Sequence, residues 1–275
     1  MRYRFVRERE NYEDYASGRV FVGMPGNPAF PVRLASEVLQ RCAAIHRAEG
    51  HRGPFRVYDP CCGAAYHLVV IGYLHIGQIR KITGSDIDAE ALALAERNLG
   101  MLSLAGLERR MAELAGMRDA FGKRSHAEAV VSASRLRNRL LACPVEQHPQ
   151  TRLFLGDATS QAALTRELRG EAVDIVFTDV PYGWRSGWRI ETRDVLPDAS
   201  VLWLMLESLL GVASGRTVVA VAADKAQNIV HEGYERLQRL RAGKRQIAIL
   251  RPLTGHGRAS GPGSDEVDNP AHAGG

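Results

Sequence analysis

Phe55-Arg-Val-Tyr-Asp-Pro-Cys-Cys-Gly-Ala-Ala-Tyr66 sets a pattern that the rest of the chain repeats. A short apolar strand ends in aspartate, turns through small residues and enters a helix that runs to Leu74. Arg80-Lys-Ile-Thr-Gly-Ser-Asp86 is a second such strand, followed by a helix from Ala89 to Leu99. Arg152-Leu-Phe-Leu-Gly-Asp157 and Val173-Asp-Ile-Val-Phe-Thr-Asp179 are a third and a fourth. A helix around Ser200–Val212 and a strand over Thr217–Ala223 continue the alternation. Strands alternating with helices predict a mostly parallel α/β sheet covered on both faces. Tyr234–Leu240 and Arg245–Leu250, separated by Arg241-Ala-Gly-Lys244, suit a C-terminal hairpin with a glycine turn.

Outward from this core, residues 1–52 read as an N-terminal extension with one helix. Pro31 suits a first helical turn, where its missing N–H would have no partner anyway. Val32, Ala35, Val38, Leu39, Cys42 and Ile45 follow at helical spacing. Tyr3, Tyr12 and Tyr15, set among Arg2, Arg4, Arg7 and Arg9, read as solvated. Residues 53–253 form the main domain, interrupted at 101–150 by a helical insertion with segments around Leu104–Ala120 and His126–Leu141. Within it, Arg135, Arg137 and Arg139 are either an ordinary solvated face or one turned toward RNA. Residues 254–275, rich in Gly, Ala, Ser and Pro, read as a disordered tail.

Composition narrows the class. Of 275 residues, 45% are hydrophobic and 24% charged, which excludes collagen-like and wholly disordered chains. No run reaches the roughly 18 apolar residues of a membrane span, and the charged N-terminus has no apolar stretch behind it, so a cytoplasmic protein is expected. The four cysteines, Cys42, Cys61, Cys62 and Cys143, include no C-x-x-C pair, so neither a metal site nor a disulfide framework is indicated. The formal net charge is +5 and the basic residues are mostly arginine, whose planar fork suits phosphate and RNA bases.

Four strands ending in Asp59, Asp86, Asp157 and Asp179 place four carboxylates where open parallel sheets bind ligands. A dinucleotide would need a G-x-G-x-x-G turn, but the turn after the first strand has one glycine and an acid, which repels phosphate. A ligand with an ammonium group, a ribose diol and an adenine fits better, and S-adenosylmethionine carries all three. On this reading Gly63 lets the backbone approach the methionine portion, Asp86 accepts the ribose hydroxyls and Asp157 faces the adenine amino group. Thr178-Asp-Val-Pro-Tyr-Gly183 is the remaining motif. A nitrogen conjugated with its ring is a poor nucleophile, so an acceptor must hold or remove its proton as a methyl arrives. Asp179 and the carbonyl of Val180 supply acceptors, Pro181 stiffens the loop and Tyr182 offers an aromatic face for a flipped base.

Asp59-Pro-Cys-Cys-Gly63, Ser85-Asp-Ile-Asp88, Gly156-Asp157 and Thr178-Asp-Val-Pro-Tyr-Gly183 resemble the motifs of class I S-adenosylmethionine-dependent methyltransferases. From Pro28 to about residue 251, including Phe121-Gly-Lys123 in the insertion, the chain resembles more narrowly the AviRa family of avilamycin-resistance 23S rRNA methyltransferases. The resemblance implies a Rossmann-like, mostly parallel seven-stranded sheet with a C-terminal hairpin. It further implies methylation of a guanine at N1 in 23S rRNA, with resistance to orthosomycin antibiotics. It assigns catalysis to Asp179, Pro181 and Tyr182, and S-adenosylmethionine binding to Asp59, Cys61, Gly63, Asp86, Asp88, Asp157 and Asp179. The loop chemistry alone fits guanine N2 equally well, so the choice of N1 comes from the resemblance. Two positions depart from the pattern: Ala65 replaces a second turn glycine, and Val180 replaces a more usual Leu or Pro. The thiols of Cys61 and Cys62 read as packing groups in a tight turn, and His67 and His75 as packing or surface residues. Trp184 and Trp188, with Arg185 and Arg189, either clamp 23S rRNA or the large subunit or close as a lid. The competing functions are a methyltransferase acting on guanine N2, on DNA or on a protein glutamine amide, and a non-catalytic RNA-binding protein on the same fold.

Overall fold

The computed structural model describes residues 2–24, 28–180 and 201–253. Among them, seven strands form one sheet: β1 (Phe55–Asp59), β2 (Ile79–Asp86), β3 (Gln150–Leu155), β4 (Ile175–Asp179), β5 (Val218–Asp224), β6 (Tyr234–Ala242) and β7 (Arg245–Pro252). Their order is β3-β2-β1-β4-β5-β7-β6. β1 to β5 are mutually parallel, while β7 runs antiparallel to both β5 and β6. The third strand lies two residues earlier than the sequence suggests, so Asp157 falls in the loop beyond it.

Side chains on a strand alternate between faces, and the sheet uses both. Val57, Ile175, Phe177, Val218, Ala220 and Ala222 face one apolar cluster; Tyr58, Val176, Val219, Val221 and Ala223 face the other. The first cluster is covered by α1 (Val32–Ala48), α2 (Tyr66–Leu74) and α3 (Ala89–Gly100), the second by α6 (Gln161–Leu168) and α7 (Val201–Leu210). α2 is buried along almost its whole length, which its unbroken apolar run Leu-Val-Val-Ile requires. α3 starts where Asp88 Oδ1 accepts the N–H groups of Glu90 and Ala91, and α6 where Ser160 Oγ accepts that of Ala163. β6, at the sheet edge, carries Glu235, Arg236, Arg239 and Arg241, charges that discourage pairing with another chain.

The insertion is a helical pair, α4 (Leu104–Phe121) and α5 (Arg124–Leu141), turned at Gly122 with φ +60°. Leu107, Leu114, Ala133, Leu136 and Leu140 carry the first apolar cluster outward between the two helices. The N-terminal segment belongs to that cluster too. Tyr15, Val20, Phe21 and Phe30 are buried in it, which corrects the expectation of a solvated extension. Tyr15 packs edge-on against Tyr73, and Tyr3 lies under the Arg33 guanidinium at 4.0 Å. Aromatic rings outweighed the intervening arginines because those charges reach water while the rings bury. The tail expected over 254–275 lies outside the described residues.

Glu37 pins the N-terminal segment to α1. Its fully buried carboxylate accepts the N–H groups of Arg4, Phe5 and Val6 and the Arg41 guanidinium at 2.7–3.0 Å. Burial alone would raise its pKa, but these donors outweigh it and hold the carboxyl below its ordinary value. Glu37→Ala should therefore destabilise the protein by about 2–3 kcal/mol, as several donors lose one charged acceptor. Glu37→Gln, which keeps an acceptor oxygen, should cost less. Urea unfolding of both variants checks this, and equal losses would show that the charge contributes nothing.

Candidate active site

In this sheet the strand order reverses beside β1, which lies between β2 and β4. Such a reversal opens a crevice at the carboxyl ends of the strands. Asp59, Asp86 and Asp179 end their strands at that edge, and Asp157 follows two residues after β3. The structure thus gathers the four acids that the sequence singled out. A fifth, Asp224, ends β5 and has no motif around it to mark it; its carboxylate accepts the Ala226 N–H and holds the following turn.

The turn after β1 depends on two left-handed residues. Gly63 has φ +51° and Ala65 φ +53°. Glycine adopts this conformation freely, whereas alanine does so at about 1–2 kcal/mol. Ala65 therefore takes the backbone shape expected of a second glycine, and its methyl group is fully buried in the core. Cys62 donates its N–H to the Ser85 carbonyl, and Gly84 makes room for it, since a Cβ there would lie 3.0 Å from the Cys62 sulfur. Cys61 packs its sulfur 3.9 Å from that of Met205, and burial pushes both thiols well above their ordinary pKa. They pack as protonated side chains, as the sequence suggested.

Asp59 lies beneath the turn, fully buried, and not at its mouth. Its Oδ1 accepts the Cys61 N–H at 3.0 Å, and its Oδ2 stands 3.2 Å from His67 Nε2. The same Nε2 is 3.2 Å from the Phe177 carbonyl on β4. Burial lowers the His67 pKa, against the pull of Asp179 and the Phe177 carbonyl, so the ring is neutral and its Nε2–H donates to the Phe177 carbonyl, while Asp59 Oδ2 lies close by without a hydrogen-bond partner among the described residues. Burial also pushes the Asp59 carboxyl up to about 7; the Cys61 N–H acts against this and the field of Asp86 adds to it.

Asp86 is partly exposed. Its Oδ2 accepts the Gly63 N–H at 2.8 Å and its Oδ1 the Asp88 N–H at 3.0 Å, so it braces the turn from the neighbouring strand. A carboxylate offers about four lone-pair sites, so these two bonds leave it able to accept more. Asp88 is the cap of α3. Asp157 is buried and its Oδ1 accepts both the N–H and the hydroxyl of Thr159.

Asp179 pairs with Arg245, whose Nε lies 3.7 Å from Asp179 Oδ1; both side chains are about five-sixths buried, at 15% and 16% exposure. The Arg245 guanidinium also sits 5.3 Å over the Phe30 ring, and Phe30 packs edge-on against Phe177. Sequence reasoning missed Arg245. Because β7 runs backwards, its first residue lies at the ligand edge, opposite Asp224 at the end of β5. The signal was a basic residue directly after the glycine turn of a C-terminal hairpin. Val180, the next residue after Asp179, donates its N–H to the Ala222 carbonyl and is fully buried. Pro181, Tyr182, Trp184, Arg185, Trp188 and Arg189 lie outside the described residues.

The three insertion arginines each have an internal partner, although Arg135 and Arg139 remain exposed and Arg137 is half-buried. Arg135 pairs with Asp14 at 3.2 Å, Arg137 with Glu108 at 3.2 Å, and Arg139 lies 5.8 Å over the Tyr15 ring. They tie α5 to the N-terminal segment and to α4.

Strand order, the single reversed strand and acids at the crevice together define a Rossmann-like class I methyltransferase. The profile of the family described as rRNA methyltransferase AviRa matches residues 1–245, and the chain belongs to that family. It is 39% identical over 255 residues to the 23S rRNA (guanine(2535)-N(1))-methyltransferase of Streptomyces viridochromogenes, spanning 90% of this chain and 95% of that protein. The crystal structure of the rRNA methyltransferase aviRa from the same organism superposes with a TM-score of 0.80 at 37% identity, covering 91% of this chain and 96% of that one. Among the described residues no helix is long and apolar enough to cross a membrane.

The raised Asp59 carboxyl has a thermodynamic consequence. Its folded pKa, about 7, lies above the unfolded value, so the folded state holds the extra proton. Its contribution to stability is complete below about pH 4 and declines as pH rises toward 7. Asp59→Asn keeps an acceptor for the Cys61 N–H and cannot ionise. Relative to the parent, this variant should gain roughly 2–3 kcal/mol between pH 5 and pH 8. Urea midpoints at the two pH values measure it; a constant difference would mean that Asp59 is ionised throughout.

Proposed function

We propose that this protein transfers a methyl group from S-adenosylmethionine to N1 of a guanine in 23S rRNA, and thereby confers resistance to orthosomycin antibiotics such as avilamycin. The observation that carries the reading is the meeting of acids at the strand reversal, in a crevice whose turn lacks the glycines of a phosphate cradle. That donor set fits the cofactor. A ribose diol and an adenine amino group are donors matched to carboxylates, and a buried acid such as Asp59 regains its charge when a cation settles nearby. Asp86 would hold the ribose hydroxyls and Asp157 the adenine amino group. Asp59 acts on the ammonium group from beneath the turn, and the backbone at Cys61 and Gly63 lies along the methionine portion. Asp88 contributes by capping the helix that leads away from the ribose site. When bound, the cofactor supplies an electrophilic methyl group on a sulfonium.

Asp179 accepts the N1–H of the target base, so that the nitrogen lone pair is available when the methyl arrives. Pro181 and Tyr182, which follow Val180 in sequence, would orient the flipped base. The relative named for guanine N1 favours N1 over N2, and a ribosomal substrate supports a cytoplasmic location. Methylation at N1 removes a Watson–Crick donor, so reverse transcription should halt one nucleotide before a single guanine of treated rRNA. Tritium transfer to rRNA without a halt would move the assignment to N2. Transfer confined to DNA or to protein would identify that polymer as the substrate. Cofactor binding with no transfer at all would leave a non-catalytic RNA-binding protein. Asp179→Ala should lower methyl transfer by about 100-fold or more while cofactor affinity stays within a few-fold. Expression in a sensitive bacterium should raise its tolerance of avilamycin, and the Asp179→Ala form should not.

RNA contact is assigned to Arg185 and Arg189, which follow the Thr178–Gly183 motif in sequence, and to the exposed sides of Arg135, Arg137 and Arg139. A phosphate binding the last three must compete with their internal partners. Replacing all five with Gln should weaken RNA binding and flatten its salt dependence, because fewer counterions are released. An unchanged salt slope would remove them from the interface.

A further inference from the structure

The ion pair between Asp179 and Arg245 sets an acceptor and a cation side by side at the methyl-transfer edge, 3.7 Å apart and mostly shielded from water. Among the described residues the cation is placed from three directions. The reversed strand β7 brings Arg245 to the edge, the Phe30 ring lies under its guanidinium at 5.3 Å, and the Pro28 carbonyl stands 3.5 Å from its Nη2. Such positioning fixes the guanidinium beside the carboxylate. It suits a site in which negative charge develops beside Asp179 during reaction.

Methylation at guanine N1 makes that demand. The N1–C bond forms as the S–C bond breaks, and the electron pair of the broken bond stays on sulfur. The N1 proton passes to Asp179 and from there to water. As it leaves, the negative charge of the ring spreads onto O6, next to N1. A guanidinium carries five N–H donors and can serve Asp179 and a ligand oxygen together. A fixed cation at a developing oxyanion in a shielded site is worth far more than it would be in water.

We propose that Arg245 is a catalytic residue of this site: it stabilises the charge that builds on O6 of the target guanine and selects a base whose ring N–H adjoins a carbonyl oxygen. This rests on the N1 reading of the proposed function. Other ionisable groups face the pair from the elements packed around it. His67 on α2 is neutral and turned to Asp59 and Phe177; Asp59 on β1 lies beneath the turn; Asp224 on β5 is opposite Arg245 and bound to the next turn. The N-terminal segment contributes the Pro28 carbonyl and the Phe30 ring, neither of which titrates.

The test is single-turnover methyl transfer to 23S rRNA between pH 6 and pH 10, with cofactor affinity measured on every variant to confirm folding. Arg245→Gln should lower the rate by about 10²–10³-fold near neutral pH, the loss seen on removing one oxyanion donor. The deficit should shrink as pH rises, because alkali removes the N1 proton without help. Arg245→Lys should restore part of the rate and keep the parent's pH profile, because the charge remains. An Arg245→Gln deficit that is constant across the range overturns the proposal and leaves Arg245 a packing residue. If Arg245→Gln cannot bind cofactor, Arg245→Lys alone decides: a profile displaced from the parent's overturns it. Failure of the underlying reading looks different, since the unmodified protein would then produce no halt in reverse transcription.

Discussion

One imidazole nitrogen joins the two strands on which the site is built. His67 Nε2 stands 3.2 Å from the Asp59 carboxylate of β1 and 3.2 Å from the Phe177 carbonyl of β4. β1 and β4 lie on either side of the strand reversal that opens the crevice, so the imidazole is in contact with both of its walls. The ring is itself held between Phe30 and Phe177, with centroids 5.8 Å and 4.9 Å away. Because His67 is buried, its bond to the Phe177 carbonyl cannot be exchanged for one to water, and leaving a buried group without its partner is costly.

From that tie the arrangement spreads in two directions. Toward the cofactor edge, Asp59 holds the Cys61 N–H and Asp86 the Gly63 N–H, so two carboxylates from adjacent strands brace one short turn. That bracing supports a backbone shape which Ala65 adopts at some cost. Toward the methyl-transfer edge, the Phe30 ring that packs on His67 also lies under Arg245, which pairs with Asp179. The N-terminal segment is therefore part of the site's foundation, and Glu37 and Arg33 fasten it to α1.

The family relationship and the internal geometry address separate questions. Membership of the AviRa family identifies an rRNA methyltransferase, and the strand order independently requires a ligand crevice where the acids lie. The geometry adds that Arg135 and Arg139 meet the N-terminal segment at Asp14 and Tyr15, while Arg137 pairs with Glu108 across the helical pair.

The sequence by itself determined the features that depend on neighbours along the chain. Apolar strands alternating with helices specified a sheet with two buried faces, Asp88 and Ser160 cap helices that begin one residue later, and aspartates at the strand ends marked the ligand edge. Local periodicity and capping carry that information because their partners lie within a few residues. Tertiary structure alone decided which distant groups meet. Asp59 went under the turn because the Cys61 N–H receives it there, and Tyr15 and Phe21 left solvent because α2 offered them the rings of Tyr66 and Tyr73. Arg245 reached Asp179 because the last strand reverses, which sends the beginning of β7, and not its end, to the edge where the other strands finish.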